Sequence, residues 1–194
     1  PLIIMRSMSK DIPWPGGRSG WMEFYNIGND KNFEDLKETI KQSLRVQVCS
    51  TTMVQAVLPA IYGDPRYPEY LSQFISKLEE QSKYISDILN TIDAINCVSG
   101  QGAFYLSAVF KEGVLKPGQT LPIENPEVKK YIEFLTADPS FPLDKRFALY
   151  LMASKGIFLT PLTSFEGPLG FRVTTLKTNI EETKKVYSVL REAI

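Results

Sequence analysis

Lys10 stands in Ser7-Met8-Ser9-Lys10, directly behind the apolar run Leu2-Ile3-Ile4-Met5, and Arg18 follows eight residues later in Pro15-Gly16-Gly17-Arg18-Ser19-Gly20-Trp21. An amine that becomes neutral when partly buried attacks a carbonyl to form an imine. Hydroxyls and a forked guanidinium hold a phosphate dianion. Ser7, Ser9, Lys10 and Arg18 therefore supply the parts for chemistry on a molecule with both a carbonyl and a phosphate, as pyridoxal phosphate (PLP) has. The plain alternative is a strand-end lysine with an arginine in a surface turn. Ser-x-Ser-Lys alone is a weak signal; the spacing to Arg18 and the Gly20-Trp21 pair strengthen it. A further arginine, Arg172, lies between Phe171 and Val173 in an apolar stretch. A guanidinium in such a place is costly unless it meets an anion, and a planar carboxylate fits its fork. That anion is either a substrate carboxylate or a side chain such as Glu166.

Positioning these groups falls to a strand–loop–strand unit. Residues 2–6 predict a strand, apolar without alternation, as in a parallel sheet covered on both faces. Burial behind that strand is expected to lower the pKa of Lys10. Pro13, Pro15, Gly16 and Gly17 turn the chain, and residues 20–25 predict the second strand. A helix is expected with Asn32 as N-cap, Asp35 in its first turn and Leu36, Ile40 and Leu44 on its apolar face. Residues 46–58 read as a loop entering another helix, and Gly63-Asp64-Pro65 is a break. A long helix follows, with Tyr70, Phe74, Leu78, Ile85 and Leu89 as core candidates; its length and polar face suit a connection between two domains.

The character changes after Asn90. Residues 92–98 and 103–110 predict strands separated by Ser99-Gly100-Gln101-Gly102, and residues 111–125 a Pro/Gly-rich loop. Asn125-Pro126 predicts an N-cap followed by proline in the first turn, ahead of Val128, Tyr131, Ile132 and Leu135. Asp144 is expected to cap a helix that ends at Gly156. Residues 157–160 and 171–176 predict strands, and Asn179 with Glu182 opens a final helix that turns Val186, Val189 and Leu190 inward. A few strands with helices on one side make a small α+β layer.

The bulk numbers exclude several classes. Apolar content of 43% and charged content of 23% are those of an ordinary globular chain of 194 residues. Lys+Arg and Asp+Glu balance at 22 each, so charge gives no argument for nucleic acid or an anionic membrane. No apolar run approaches the roughly 20 residues of a membrane span. The absence of His rules out Ser-His and Cys-His catalysis and His-ligated metal within the chain, and no metal site is expected. Cys49 and Cys97 are far apart and form no metal pattern, which favours a reducing, cytoplasmic setting.

Together these segments resemble class I/II aminotransferases, the fold type I PLP enzymes. In that family the lysine and the phosphate-binding arginine appear as a Ser-x-x-Lys segment followed by a Pro-Gly-x-Arg-x-Gly-Trp segment, here Ser7–Lys10 and Pro15–Trp21. Gly102-Ala103-Phe104-Tyr105-Leu106 is similar to the strand that opens the small domain. Gly156-Ile157-Phe158-Leu159-Thr160-Pro161 is similar to the strand leading to the substrate loop. Gly170-Phe171-Arg172-Val173-Thr174 is similar to the strand whose arginine holds the substrate α-carboxylate.

The resemblance spans essentially the whole chain. It implies a mixed α/β and α+β chain: the end of a PLP-binding large domain with parallel-sheet strands and linker helices over 1–90, then a small C-terminal domain over 91–194. It implies PLP held by Lys10 as an imine, with Ser7, Ser9 and Arg18 on its phosphate and Arg172 on the substrate carboxylate. It further implies amino-acid and 2-oxo-acid substrates and a homodimer. Because nine residues precede Lys10, the family's other cofactor contacts are expected in a missing N-terminal half. The chain alone is then expected to be inactive.

Two positions depart from the pattern. Pro161-Leu162 replaces the usual Pro-Gly, although Ser164-Phe165 fits, so the loop over the substrate is altered. Arg45 lies where some members send an arginine to the neighbouring subunit, yet its context fits a plain helix-end cation as well. Two other functions share the fold: lyase, decarboxylase or synthase chemistry on the same cofactor, and a non-catalytic binding or dimerisation domain. Keeping both Lys10 and Arg172 argues against the second.

Overall fold

The computed structural model describes residues 1–47, 51–176 and 179–194. The chain divides into two compact units, Pro1–Leu71 and Ser72–Ile194.

In the first unit, β1 (Leu2–Ser7) pairs with β2 (Gly20–Tyr25) in antiparallel register, Leu2 opposite Tyr25 and Ser7 opposite Gly20. The expected parallel-sheet strand is thus corrected: β1 belongs to a two-stranded antiparallel pair. Its link to β2 consists of one helical turn, α1 (Met8–Asp11), and a 3₁₀ turn over Pro15–Gly17, too little to carry the chain back to the start of β1 as a parallel return requires. Nor is β1 enclosed. Leu2 and Met5 are exposed, and Ile3 and Ile4 half-buried.

The next helix, α2 (Lys31–Arg45), starts earlier than expected. Asp30, not Asn32, is the N-cap, and its carboxylate accepts from Asn32 N at 2.9 Å. Either side chain caps well; the extended backbone of Asp30 after the 3₁₀ turn Ile27–Asn29 decides between them. The helix buries none of its side chains. With α3 (Thr52–Gly63) it borders a groove lined by Met5, Met22, Phe24, Ile40, Leu44 and Leu58. The break at Asp64 is present as expected, and α4 (Tyr67–Leu89) follows.

The second unit is built on a four-stranded antiparallel sheet of order β3-β4-β6-β5, formed by β3 (Ile95–Cys97), β4 (Tyr105–Phe110), β5 (Thr160–Pro161) and β6 (Gly170–Thr174). Alternation sorts its faces. Leu106, Ala108, Phe110, Phe171 and Val173 are buried together with Ile85 and Leu89 of α4 and with Leu151 and Leu190. The strands are shorter than expected. Residues 92–95 form tight turns, with Ile92 N donating to Leu89 O and Ile95 N to Ile92 O, both at 3.0 Å. Asn90 then brackets Cys97, donating to its carbonyl at 2.8 Å and accepting from its amide at 2.9 Å. Ala103 has a left-handed backbone, so β4 begins only at Tyr105.

Three helices complete the unit: α5 (Pro126–Leu135), α6 (Leu143–Lys155) and α7 (Ile180–Ala193). Asn125 and Asn179 cap α5 and α7 as expected, each accepting from two backbone amides. Gly156 ends α6 with a left-handed backbone, also as expected. In α5 Ile132 is buried, while Val128, Tyr131 and Leu135 are exposed. One expectation fails. Asp144 is not the cap of α6; Pro142 holds that position and Asp144 turns inward. Cys97 is buried, which pushes its thiol up and keeps it protonated; Cys49 lies outside the described residues. Among the described residues, no helix is long and apolar enough to cross a membrane.

Candidate active site

The β1–β2 ladder ends at the Ser7–Gly20 pair, and residues 8–19 close it as a loop. Met8 is fully buried at its centre. Its amide donates to Ser19 O at 3.3 Å, and its carbonyl accepts from Ile12 N at 3.3 Å and Trp14 N at 3.2 Å. Its thioether lies against Gly17, where a Cβ would come within 2.7 Å of Met8 Cε, so a side chain at that position would have to push the thioether aside. One side chain thus ties together both limbs of the loop.

Four of the residues singled out above sit on this loop and the strand end before it. Ser7 caps α1, its Oγ accepting from Ser9 N at 3.2 Å, and its hydroxyl proton is left to donate elsewhere. Arg18 adopts a left-handed backbone, and its Nη1 donates to Pro15 O at 3.1 Å, leaving further donors on the fork. Ser9 is half-buried, whereas Ser7, Lys10 and Arg18 are exposed. The expected burial of Lys10 is not found: α1 is a single turn at the end of a two-stranded pair, and among the described residues Lys10 is exposed.

Sequence reasoning missed the neighbour of Lys10. Asp11 accepts a hydrogen bond from the Tyr62 hydroxyl at 2.5 Å. Burial and that carboxylate hold the Tyr62 phenol well above its usual range, so it stays a donor. Its ring meets Trp21 and Tyr67 edge-on, with centroids 5.7 and 5.2 Å away. No local pattern links positions 11 and 62.

Arg172 belongs to the second unit. On β6 it lies opposite Ser107 of β4 on one side and Thr160 of β5 on the other. The alternative partner, Glu166, forms no ion pair with it. Among the described residues no carboxylate lies within ion-pair distance of Arg172, and Glu166 is exposed at the end of the 3₁₀ turn Leu162–Phe165. Instead the guanidinium carbon sits 4.4 Å from the Tyr105 ring centre and 4.6 Å from that of Phe165. Both are cation–π distances, and among the described residues no carboxylate takes up the forked donors of Arg172, which suit a planar anion.

Asp144 anchors the segment that carries Phe165. Only 2% exposed, it accepts from Lys145 N at 2.8 Å and Thr163 Oγ1 at 2.7 Å through one oxygen. The other oxygen accepts from Thr163 N at 3.0 Å and Gly170 N at 3.5 Å. Gly170 has no room for a side chain, because a Cβ there would collide with the Ala108 carbonyl and Leu162. Gly170→Ala is accordingly expected to destabilise the fold by about 1–3 kcal/mol through overpacking, read as a lower Tm in thermal unfolding. Arg45, at the end of α2, is exposed and donates to Gln42 at 3.3 Å, as a helix-end cation does.

The sequence pattern described as aminotransferase class I and II matches residues 1–190. The chain belongs to that family. An uncharacterized aminotransferase of Methanocaldococcus jannaschii is 38% identical over 193 residues, which are 99% of this chain and 44% of that protein. An alanine aminotransferase 2-like protein of Danio rerio is 28% identical over 172 residues, 83% of this chain and 28% of that one. The fold of this chain is that of solved aminotransferases. It overlays an alanine aminotransferase from Pyrococcus furiosus with a TM-score of 0.73 at 24% identity, and the aspartate aminotransferase from Rhizobium meliloti with 0.72 at 19%. Each overlay covers 98% of this chain and 41% of the other. The chain thus spans less than half the length of the relatives it matches.

Proposed function

We propose that this chain carries the lysine and the substrate arginine of a PLP-dependent aminotransferase that moves an amino group between an amino acid and a 2-oxo acid. The loop organised by Met8 carries the reading, because it bears an amine, two hydroxyls and a guanidinium at one end of one strand pair. The donor set suits PLP. Ser7 and Arg18 both keep donors after their internal hydrogen bonds are counted, as a phosphate requires. PLP, when bound, supplies an electron sink for charge developing at the substrate Cα.

The chain's own residues then divide the work. Ser7, Ser9 and Arg18 hold the phosphate. Lys10 Nζ would anchor the cofactor, and its amine would also serve as the base for the proton on the substrate Cα. Arg172 would grip the α-carboxylate through its forked donors, with Tyr105 and Phe165 at cation–π distance, and so fix which Cα bond is presented. Sharing the fold with lyases and decarboxylases does not by itself select this reaction; the family match over residues 1–190 supports the aminotransferase reading.

The test uses the full-length protein loaded with PLP, a panel of amino acids with 2-oxoglutarate as acceptor, and product analysis. Alanine, the donor in the name of the Danio rerio relative, is the first to try. A new amino acid formed in step with a new 2-oxo acid supports the reading; carbon dioxide or an eliminated side chain overturns it. Arg18→Ala is expected to raise the dissociation constant of PLP by roughly tenfold to a hundredfold, the loss of hydrogen bonds to a charged group, measured by equilibrium dialysis.

A further inference from the structure

We propose that Asp144 is a positioning residue for Arg172, acting through the turn that carries Phe165. This rests on the reading of Arg172 as the partner of the substrate carboxylate. Asp144 is an enclosed carboxylate that no cation neutralises among the described residues; it is held by four N–H and O–H donors. A charge in that setting is costly unless every lone pair is answered, so its position is sharply defined.

Two of the anchored residues are Thr163 and Gly170. Thr163 lies two residues before Phe165, and Gly170 two residues before Arg172. The same carboxylate thus sets the wall of the site and the strand that carries the guanidinium. Phe165 needs this support. It is 54% exposed, so burial does not hold its ring against Arg172; the turn Leu162–Phe165 does. That turn is closed by Gly167 N donating to Leu162 O at 3.1 Å and tied to α6 through Thr163. Neither Asn nor Ser can replace Asp144, because Asn would turn an N–H toward one pair of donors and Ser has one oxygen to offer.

The experiment uses the full-length, PLP-loaded enzyme and, as probe, the amino acid that the unsubstituted enzyme converts with the highest kcat/KM. Thr163→Val removes one of the four donors with little change of shape, and Thr163→Ser keeps it. Thr163→Val is expected to raise KM by about tenfold, the size of one hydrogen bond to a charged group, with kcat changed less than about twofold. Thr163→Ser is expected to restore KM. Asp144→Asn should show the same split more strongly, and if it does not fold, the two Thr163 variants decide. Hydrogen exchange of the Thr163 and Gly170 amides, measured on the PLP-free protein, should accelerate in Thr163→Val.

Unchanged KM in Thr163→Val, a fall in kcat at constant KM, no recovery in Thr163→Ser, or unchanged exchange of those amides each overturns the role given to Asp144. An Arg172→Lys enzyme that keeps its KM overturns the reading of Arg172 itself, whatever the Thr163 variants do.

Discussion

Lys10→Ala in the full-length enzyme is expected to lower amino transfer by roughly a thousandfold or more while PLP remains bound. Positioned acid–base groups contribute about a hundredfold to ten-thousandfold, and Lys10 is also read as the covalent anchor of the cofactor, so the loss belongs at the high end. Retention of PLP follows from the division of labour within the loop. The phosphate donors Ser7 and Arg18 are set by backbone that does not involve the lysine side chain: the Ser7 cap of α1, the Pro15–Arg18 turn and the buried Met8 beneath both. The substitution therefore removes an exposed side chain and leaves the scaffold intact. Two measurements check this, steady-state turnover and the amount of PLP retained after exhaustive dialysis. Turnover within about tenfold of the unsubstituted enzyme would remove Lys10 from the proton transfer, and loss of PLP together with turnover would make it a binding residue alone.

Much of this was legible from local backbone chemistry. Asn125-Pro126, Asn179 and Gly156 act at the helix ends where the sequence puts them, because capping depends on one side chain and the next few amides. The strand–loop–strand course around Ser7–Arg18 was legible for the same reason: the loop's contacts run within a dozen residues. What was not legible depends on partners far along the chain. Asp144 looks like a cap because it opens a helical pattern, yet three of its four donors lie 19 and 26 residues on. Tyr62 reaches Asp11 across 51 positions. Tyr105 stood in a quoted strand without a role, and no spacing could say that its ring would meet Arg172. The opening strand misled because an unbroken apolar run signals enclosure without saying what encloses it, and among the described residues β1 pairs with β2 alone and leaves Leu2 and Met5 exposed.

Arg172 offers the second large effect. Arg172→Leu is expected to lower kcat/KM for amino acids by roughly a hundredfold to a thousandfold, since two hydrogen bonds to a carboxylate are lost at about 1.5–3 kcal/mol each and water replaces them in part. Arg172→Lys should recover little of this. Lysine keeps the charge, but a compact ammonium has no planar fork to meet both carboxylate oxygens. The discriminating measurement compares an amino acid with the primary amine of the same side chain that lacks the carboxylate. If Arg172 acts on the carboxylate, the amine reacts slowly with the unsubstituted enzyme and is indifferent to the substitution, so the preference for the amino acid collapses in both variants. If Arg172 only braces the sheet between Ser107 and Thr160, both substrates lose activity together and the preference survives. Phe165→Leu sharpens the point. It removes one of the two rings and leaves the guanidinium in place, so it should weaken amino-acid binding by a few-fold, the worth of about 0.5–1 kcal/mol expected for an exposed cation–π contact, and leave the amine untouched.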